Sequence, residues 1–367
     1  MIRTRHDLEQ LEHRFLADYA LKSDDAYATS RVYSEPSDEN RTAFQRDADR
    51  IFHTKAFRRL KGKTQVVLAE HGDHFRTRLI HTMNVANVAT DISRRLALNE
   101  DLCLAISYGH DLGHTCFGHE GEAALNEQLK DYNAHFEHNE QSLHLVEHLE
   151  PLNLTRAVRD GLDKHRTVYD HPESRDSVMP SLEAQVVNYA DEIAYRFHDL
   201  DDGLRAGVFA TEDLHFLQIW QRSLSSLDDK DASIPRKVMS KLLELMIGDV
   251  ANTTDSSLRT ADIHSPQDAS RFQTSLVAYS PQMLIELKEL SDFLFNRFYK
   301  SQKVREYNLQ GRKIITFLFN WFYNNPALLP SEFAERLASE PQHFVVKDYV
   351  AGMTDAYATS LYKKYFS

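Results

Sequence analysis

The segment 107–121, which reads SYGHDLGHTCFGHEG, places three histidines and one aspartate within ten positions, from His110 to His119. Imidazole nitrogens and carboxylate oxygens are common ligands of divalent metals, and both groups transfer protons near neutral pH. Glycines interrupt the segment, so helix packing does not explain this density of histidines. We therefore expect the segment to hold a metal ion, to move a proton, or to do both.

His110 and Asp111 are adjacent, at the expected end of a helix over 100–109. Neighbouring side chains on a regular helix point about 100° apart, so two neighbours chelate one ion most easily where the backbone is irregular. Gly109 and Gly113 provide such a place. The pair offers one nitrogen and one oxygen ligand, and the remaining ligands must come from other elements.

Two polar residues on other predicted helices could complete this site. His81 lies beside the apolar stripe of a helix over 78–96, where a lone histidine is more often a satisfied interior residue than a ligand. Asp191 lies within a long helix, where a buried carboxylate is costly unless it is paired or binds a metal. Together with His110 and Asp111, these residues form a mixed set of nitrogen and oxygen ligands. Such a set suits Mn²⁺, Fe²⁺, Mg²⁺ or Zn²⁺ in an open catalytic site better than a closed structural zinc.

The apolar spacing along the chain is helical rather than alternating, which predicts an all-α fold. The stretch 181–207 predicts one long helix, because it has an apolar stripe and no glycine or proline before Gly203. Two polar stretches, 165–180 and 250–270, are predicted to be loops, and 343–349 is the best candidate for a strand. Further helices are predicted at 47–60, 119–130, 139–149, 154–164, 281–299, 312–324, 331–338 and 346–365.

Composition and charge exclude several classes of protein. The formal net charge of −12 argues against a protein that coats nucleic acid through a basic surface. The two cysteines cannot build a disulfide framework, and the charged N-terminal stretch lacks the apolar run of a signal peptide. The densest apolar stretch, 314–323, is about half the length needed to span a bilayer. We therefore expect a soluble, cytoplasmic protein without membrane contact.

One segment departs from this acidic balance. From Arg41 to Arg78 the chain has ten lysines and arginines against four acidic residues. Such a run is most often a solvated helix face. The alternative is a pocket wall that attracts a small polyanion, and the sequence leaves both interpretations open.

The order His81…His110-Asp111…Asp191 resembles the H…HD…D signature of the HD-domain phosphohydrolases. The resemblance narrows further, because five blocks are similar, in order and spacing, to the bacterial deoxyguanosinetriphosphate triphosphohydrolase-like proteins. It covers about 30–210 well and the last third more loosely. It implies one α-helical domain over 1–367, with an HD core at about 41–210 and a C-terminal helical extension at about 271–367. The five blocks are 39–66, 78–86, 109–122, 135–143 and 188–207.

The resemblance implies a reaction and its partners. A deoxynucleoside triphosphate (dNTP), dGTP or a broader set, would be cut at the α-phosphate to give deoxynucleoside and intact triphosphate, with a divalent metal as cofactor. The family forms homo-oligomers, often hexamers, and some members respond to an allosteric dNTP or to single-stranded DNA. The expected metal ligands are His81, His110, Asp111 and Asp191.

His119 and Glu122 are candidates for proton transfer. They are three residues apart on one helix face, and a carboxylate that orients an imidazole is usual for a general acid or base. The alternative is an N-terminal pair in which the helix dipole favours the glutamate. The resemblance assigns His119 as the acid that protonates the departing 5′-oxygen. It places His138 beside the phosphates, although His138 could equally be a polar residue at a helix start.

Substrate contacts follow from position and from the resemblance. Arg78 lies one turn before His81 and could reach a phosphate next to the metal. His114 is expected in the phosphate pocket rather than on the metal, because Gly113 interrupts the helix. The resemblance assigns Tyr195 to the 2′ face of the sugar, and Asp199 and Gln65 to the 3′-hydroxyl. As structural residues, Tyr195 would be an interior tyrosine and Asp199 part of an acidic helix end.

The sequence departs from the family pattern at two positions. Cys116 stands where relatives often have proline, a loop change that we expect to be tolerated. Glu192 stands where the vertebrate branch of the superfamily has a phosphate-binding lysine. Another cation must therefore contact the phosphates on that side.

Two other functions remain as alternatives. An HD-type phosphodiesterase, nuclease or nucleotidase would keep the metal and change the substrate, but a slot for deoxyribose formed by Tyr195 and Asp199 would be pointless for a long nucleic acid. A slow-turnover dNTP sensor would bind without hydrolysis, but it would not need the proton donor His119.

Overall fold

The computed structural model describes residues 2–66, 76–165 and 179–366. These residues form helices and no β-strand, which confirms the all-α prediction; one isolated bridge joins Thr64 to Thr77. The α-helices are α1 (Arg5–Phe15), α2 (Ala43–Phe52), α3 (Lys55–Arg59), α4 (Arg78–Arg95), α5 (Glu100–Gly109), α6 (Gly118–Leu129), α7 (His138–His144), α8 (Arg156–Asp163), α9 (Leu182–Arg205), α10 (Gln218–Ser225), α11 (Asp229–Ala232), α12 (Pro235–Thr260), α13 (Pro266–Ser270), α14 (Pro281–Leu294), α15 (Gln302–Asn324), α16 (Ser331–Ala334), α17 (Gln342–Ala351) and α18 (Asp355–Phe366).

Short turns of other helix types extend or join these elements. Two π-helical turns, Leu145–Leu149 and Phe295–Tyr299, continue α7 and α14. The 3₁₀ turns are Leu60–Gly62, Lys130–Tyr132, Thr211–Leu214, Pro326–Leu328 and Glu335–Ala338.

Helices α4, α5 and α9 pack together and form the scaffold of the site. The predicted long helix is confirmed as α9, whose first turn is capped by Ser181 through a hydrogen bond from the Ala184 backbone N–H. Asn99 caps α5 in the same way, by accepting a hydrogen bond from the Leu102 N–H. The buried faces of these helices carry both the apolar core and the polar groups of the site.

The loop between α5 and α6 requires glycine at two points. A Cβ at Gly113 would lie 2.2 Å from the backbone oxygen of His138, so no larger residue fits there. Phe117 and Gly118 both have left-handed backbone, with φ of 62° and 61°, which is costly for a bulky residue such as Phe117. This turn sets the direction in which α6 leaves the loop.

The buried apolar side chains form two clusters. The first joins α2, α4, α5, α8, α9, α10, α12 and α14. The second joins α6 to α15, α17 and α18, and it includes Cys116 and Phe117 from the loop before α6. The histidine-rich loop therefore packs on C-terminal helices as well as on α5. The boundaries of about 41–210 and 271–367 for core and extension stay a prediction.

The apolar stretch 314–323 lies in α15 and contributes Ile314, Leu318 and Phe322 to the second cluster. In the described parts of the chain, no helix combines the length and the apolar character needed to cross a bilayer.

Two local predictions are wrong. The strand candidate 343–349 lies within α17. This helix is buried on all sides, so its sequence is a continuous apolar run, and such a run does not distinguish a buried helix from a strand. The predicted loop 250–270 is helical up to Thr260 in α12 and again over Pro266–Ser270 in α13. Helix α12 buries Val250, Thr254 and Leu258, while its other polar residues after Val250 are exposed or half-buried. For the other predicted loop, 165–180, residues 166–178 lie outside the described residues.

Candidate metal centre

The four residues predicted as metal ligands converge in the structure. His81 comes from α4, His110 and Asp111 follow α5, and Asp191 comes from α9. His81 Nε2 is 2.8 Å from Asp191 Oδ1 and 3.9 Å from Asp111 Oδ2. His110 Nε2 is 3.7 Å from Asp111 Oδ1 and 3.9 Å from Asp191 Oδ1. We call these four buried residues the metal cluster.

His110 presents an unprotonated nitrogen to the metal cluster. Its Nδ1–H donates to the backbone oxygen of Ser107 at 2.7 Å, so the lone pair of the neutral ring is on Nε2. That Nε2 is buried and has no hydrogen-bond partner among the described residues. Burial lowers the pKa of His110 to about 4 and keeps the ring neutral at pH 7. A buried nitrogen of this kind, directed at two carboxylates, fits a bound cation.

The carboxylates of the metal cluster are ionised despite their burial. Burial alone would raise the pKa of Asp111, but the Arg78 guanidinium, 2.9 Å away, and the neighbouring histidines together hold that pKa below its usual range. Burial would likewise raise the pKa of Asp191, but His165 and His81 hold it well below its usual range. Two ionised carboxylates with two imidazoles make a donor set that suits a first-row divalent metal.

Two further buried histidines contact the metal cluster, and sequence reasoning missed both. His165 Nε2 is 3.4 Å from Asp191 Oδ2, and its Nδ1–H donates to Asn188 Oδ1 at 2.7 Å. His198 Nδ1 is 3.3 Å from His81 Nδ1. The signal for His198 was its position seven residues after Asp191, which places it on the same face of α9. His165 gave no comparable signal, because it follows α8 directly in a segment that was predicted to be a loop.

His114, His119, Glu122 and His138 form a second histidine cluster beside the first. The rings of His114 and His138 stack with centroids 3.9 Å apart. Glu122 accepts from the His138 backbone N–H at 2.8 Å and lies 3.1 Å from His138 Nδ1. His119 Nδ1 is farther from Glu122, at 3.8 Å, and its side chain is 64% exposed. The carboxylate is therefore shared by two imidazoles, with His138 the nearer.

Within the second histidine cluster, His114 is the residue that contacts the metal cluster. Its Nε2 is 3.5 Å from Asp111 Oδ1, and its Nδ1 is 3.8 Å from Glu122 Oε2. Burial, reinforced by the charge of Arg78, holds the pKa of His114 well below its usual range, so the ring is neutral. Burial opposes ionisation of Glu122, but His138 and His119 outweigh it and hold its pKa well below its usual range. The two sites are thus in contact through His114 but differ in charge and exposure.

Arg78 and Gln65 have buried polar atoms that face the same region. The Nε and Nη2 of Arg78 and the Oε1 of Gln65 have no hydrogen-bond partner among the described residues. A guanidinium whose Nε and Nη2 hydrogens are not engaged by other described residues can donate hydrogen bonds to a phosphate. Gly118 lies next to both: a Cβ there would be 3.2 Å from the Gln65 backbone oxygen and 3.7 Å from Arg78 Nη2.

Tyr195 and Asp199 continue the inner face of α9 beyond Asp191, and both are buried. The Tyr299 hydroxyl donates to Asp199 Oδ2, a partner that sequence reasoning did not identify. Asp199 Oδ1 has no partner among the described residues. Burial raises the pKa of Asp199 to about 7. One oxygen of this carboxyl group is thus fixed by Tyr299 and the other can meet a ligand.

Asp355, at the start of α18, anchors the histidine-rich loop. It accepts from the backbone N–H of Thr64 at 2.9 Å, from that of Phe117 at 3.1 Å, and from the Tyr307 hydroxyl at 2.9 Å. Buried Lys63 adds a second link, because its Nζ donates to the backbone oxygen of His114. The left-handed turn at Phe117 is therefore held in place from the C-terminal helices.

Comparison with known proteins agrees with this arrangement. Residues 78–196 match the HD domain, and residues 277–364 match the phosphohydrolase-associated domain. The chain is 38% identical to a deoxyguanosinetriphosphate triphosphohydrolase-like protein of Geobacter sulfurreducens, over 98% of this chain and 97% of the relative. It is 40% identical to such proteins of Deinococcus radiodurans, over 97% of each chain, and of Ralstonia pickettii, over 96% of this chain and 95% of the relative.

The chain belongs to the deoxyguanosinetriphosphate triphosphohydrolase-like family. The resemblance predicted from its motifs is confirmed, and the similarity extends through the C-terminal third, which the motifs matched only loosely. HD domains bind divalent metals, and ligand atoms of His81, His110 and Asp111 lie within 4.8 Å of one another. The cofactor of this member of the family is therefore a divalent metal.

The two departures from the family pattern have clear structural settings. Cys116 is fully buried in the second apolar cluster, where a small apolar side chain is accommodated. Glu192 is paired with Arg196, whose Nη1 lies 2.9 Å from Glu192 Oε2. The position of the missing lysine thus holds an ion pair of α9.

Proposed function

We propose that this protein hydrolyses deoxynucleoside triphosphates at the α-phosphate and releases deoxynucleoside and intact triphosphate. The observation that carries the proposal is the contact between the metal cluster and the second histidine cluster through His114. A cation site, a buried guanidinium and a proton donor at one place are the components that phosphate-ester hydrolysis needs. The relatives named as deoxyguanosinetriphosphate triphosphohydrolase-like proteins support this substrate class.

The metal cluster would hold the cofactor through His81, His110, Asp111 and Asp191. When bound, a divalent metal supplies Lewis acidity at the attacked phosphoryl group. Arg78 stays in place beside it, because Asp111 fixes one arm of the guanidinium and leaves Nε and Nη2 for phosphate oxygens. His114, neutral and buried, lines the same pocket without adding charge.

The second histidine cluster would supply the proton for the leaving 5′-oxygen. His119 is the acid in this proposal, because it is exposed enough to recover its proton from water after each turnover. Glu122 orients it, and His138 holds Glu122 from the other side. A proton delivered to the leaving oxygen avoids release of an alkoxide, which is a poor leaving group at neutral pH.

The inner face of α9 would select the sugar. Tyr195 lies one turn after Asp191, where a ring against the 2′ carbon excludes a ribose hydroxyl. Asp199 Oδ1 and Gln65 Oε1 are buried acceptors without partners among the described residues, and they suit the 3′-hydroxyl. We also propose a homo-oligomer, with a hexamer as the candidate assembly and an allosteric dNTP or single-stranded DNA as candidate effectors.

A two-metal phosphodiesterase is the second candidate. The groups Asp111, His114 and His138, and His114, His119 and Glu122, also bring ligand atoms within 4.8 Å of one another. Two adjacent metals would clamp both the attacking and the leaving oxygen of a phosphodiester. Two metals per chain, together with cleavage of a dinucleotide, would favour this candidate.

The deciding experiment incubates the protein with each of the four dNTPs, singly and mixed, in Mn²⁺ or Mg²⁺. Products are separated by ion-exchange chromatography. We expect deoxynucleoside and tripolyphosphate in equal amounts. Monophosphate with pyrophosphate, or no turnover under any of these conditions, would show that the proposal is wrong.

A further inference from the structure

Ser142 joins α7 to the turn that carries His110 and Asp111. Its hydroxyl donates to the backbone oxygen of His110 at 2.8 Å and accepts from the backbone N–H of Gly113 at 2.9 Å. Both directions are fixed, because a carbonyl oxygen can only accept and an amide N–H can only donate. Ser142 is fully buried, so bulk water does not compete for these two bonds. We call the two bonds the Ser142 bridge.

The Ser142 bridge connects two helical elements, which is not the usual use of a serine inside a helix. Serine hydroxyls in helices often bond back to a carbonyl of the same helix, as Ser223 does with the Ile219 oxygen in α10. The hydroxyl of Ser142 instead holds the residues on both sides of Asp111 and Leu112. The turn therefore takes its position from α7 as well as from α5.

Helix α7 approaches this turn at backbone distance. A Cβ at Gly113 would lie 2.2 Å from the His138 oxygen and 2.3 Å from the Ser142 nitrogen. His138 lies one turn before Ser142, on the same face of α7, and its ring stacks on that of His114 with centroids 3.9 Å apart. One face of α7 thus contacts both the turn of the metal cluster and the second histidine cluster.

Helix α7 is itself fixed to α17 by the neighbour of Ser142. The Gln141 side-chain N–H donates to Asp348 Oδ1 at 2.9 Å, and Lys347 Nζ donates to Gln141 Oε1 at 2.5 Å. All three side chains are buried. The Ser142 bridge therefore ties the turn to an element that the C-terminal helices hold in place.

We propose that Ser142 is a positioning residue that fixes the backbone of the turn, so that His110 and Asp111 present their ligand atoms to one ion. The inference rests on the proposed function only in the assignment of these two residues as metal ligands. Without the hydroxyl, the His110 oxygen and the Gly113 N–H lose their partner in a buried place, and the turn must shift to satisfy them. Groups that orient metal ligands in this way set the affinity for the metal.

The first experiment measures the Mn²⁺ dissociation constant of the full chain by titration calorimetry. Ser142→Ala removes both bonds, and we expect roughly 10- to 100-fold weaker binding. Ser142→Cys has almost the same shape, and its thiol is a weak donor and a weak acceptor, so we expect a smaller loss. The matched control is Ser223→Ala, which removes an equally buried hydroxyl away from the site and should bind Mn²⁺ like the wild type. Thermal unfolding establishes that the metal-free variants are folded.

The second experiment needs no metal and no substrate. Hydrogen exchange of the metal-free chain is followed by mass spectrometry on peptides that contain Gly113. We expect slow exchange at the Gly113 amide in the wild type and in Ser223→Ala, because the amide hydrogen is bound in a buried site. In Ser142→Ala this exchange should be faster by roughly tenfold or more.

The two readouts separate the Ser142 bridge from the proposed function. Equal Mn²⁺ affinities in Ser142→Ala and Ser223→Ala, or equal exchange at Gly113 in both, would overturn the inference. Should Ser142→Ala not fold, Ser142→Cys and the wild type decide, since rapid exchange at Gly113 in the folded wild type contradicts the bridge. Failure of the proposed function has a different signature: no dNTP is hydrolysed, while Mn²⁺ binding and exchange still respond to Ser142 as expected.

Discussion

The metal cluster and the second histidine cluster use the same side-chain types and lie side by side, yet they differ in how their groups are satisfied. In the metal cluster, His110 Nε2 has no hydrogen-bond partner among the described residues, and two ionised carboxylates surround it. In the second cluster, the one carboxylate, Glu122, is already bound by His138. The metal cluster thus keeps a ligand nitrogen without a hydrogen-bond partner among the described residues, whereas the carboxylate of the second cluster is already occupied.

Exposure separates the two clusters in the same way. Every side chain of the metal cluster is buried, while the second cluster runs from buried His114 to exposed His119. A group that holds an ion gains from exclusion of water, because electrostatic attraction is stronger at low dielectric. A group that donates a proton once per turnover must exchange it with solvent. The types of the residues show which reactions a cluster could support. The hydrogen-bond partners and the solvent exposure of each side chain then show whether it is suited to hold a metal or to donate a proton.

The largest expected effect comes from breaking the metal cluster. Asp191→Asn removes a charge that faces both His81 and His110. We expect loss of bound metal, measured by inductively coupled plasma mass spectrometry. We also expect the rate of dNTP hydrolysis to fall by about a thousandfold or more. Excess Mn²⁺ should stabilise the wild type, by about 2.7 kcal/mol at a hundred times the dissociation constant, and leave the variant unchanged. Retained metal would mean that Asp191 is not a ligand.

A smaller effect is expected in the second cluster. His119→Ala removes the proposed acid, and general acid catalysis is typically worth about 10²- to 10⁴-fold in rate. Metal content should equal that of the wild type, because His119 is not one of the four proposed ligands and its Nδ1 lies 3.8 Å from Glu122 Oε2. His148→Ala, at an exposed histidine of the π-helical turn after α7, is the matched control. Loss of metal in His119→Ala would contradict the assignment of the metal to one cluster and of proton donation to the other.

The smallest of these effects is expected for Glu122→Gln. The amide keeps the shape of the side chain and can still accept from the His138 backbone N–H, but it no longer attracts the imidazoles by charge. We expect kcat to fall by roughly 10- to 100-fold with KM and metal content little changed. A fall as large as that of Asp191→Asn, accompanied by metal loss, would favour the two-metal alternative, in which Glu122 is itself a ligand.

The sequence was sufficient to predict that His81, His110, Asp111 and Asp191 converge, and the reason is physical. A carboxylate at Asp191 in the middle of a buried helix face needs a cation, and the adjacent pair His110 and Asp111 offers matching ligands. The same logic could not find His165 or His198. A single histidine on an inward face looks the same in sequence whether it contacts a metal ligand or fills a core, and only the packing of α8 and α9 against α4 and α5 distinguishes the two.

Contacts between distant segments also explain the partial prediction of the second cluster. The spacing of His119 and Glu122 predicted a pair on one helix face, and both do lie on α6. The nearer partner of Glu122 is His138, which lies sixteen residues later in the sequence, at the start of α7. The two wrong local predictions, at 250–260 and 343–349, have a similar cause, because burial by neighbouring helices decided their structure against the local pattern.

The anchoring of the histidine-rich loop by Asp355 has a consequence for how the chain can vary. The turn at Phe117 is held by a carboxylate that also binds Thr64 and Tyr307, so its conformation depends on residues that are far apart in the sequence. Substitutions in the loop and at position 355 should therefore be strongly epistatic. Although the loop lies within the HD-domain match and α18 begins within the phosphohydrolase-associated match, the loop and the C-terminal helices are expected to be inherited as one co-evolving unit.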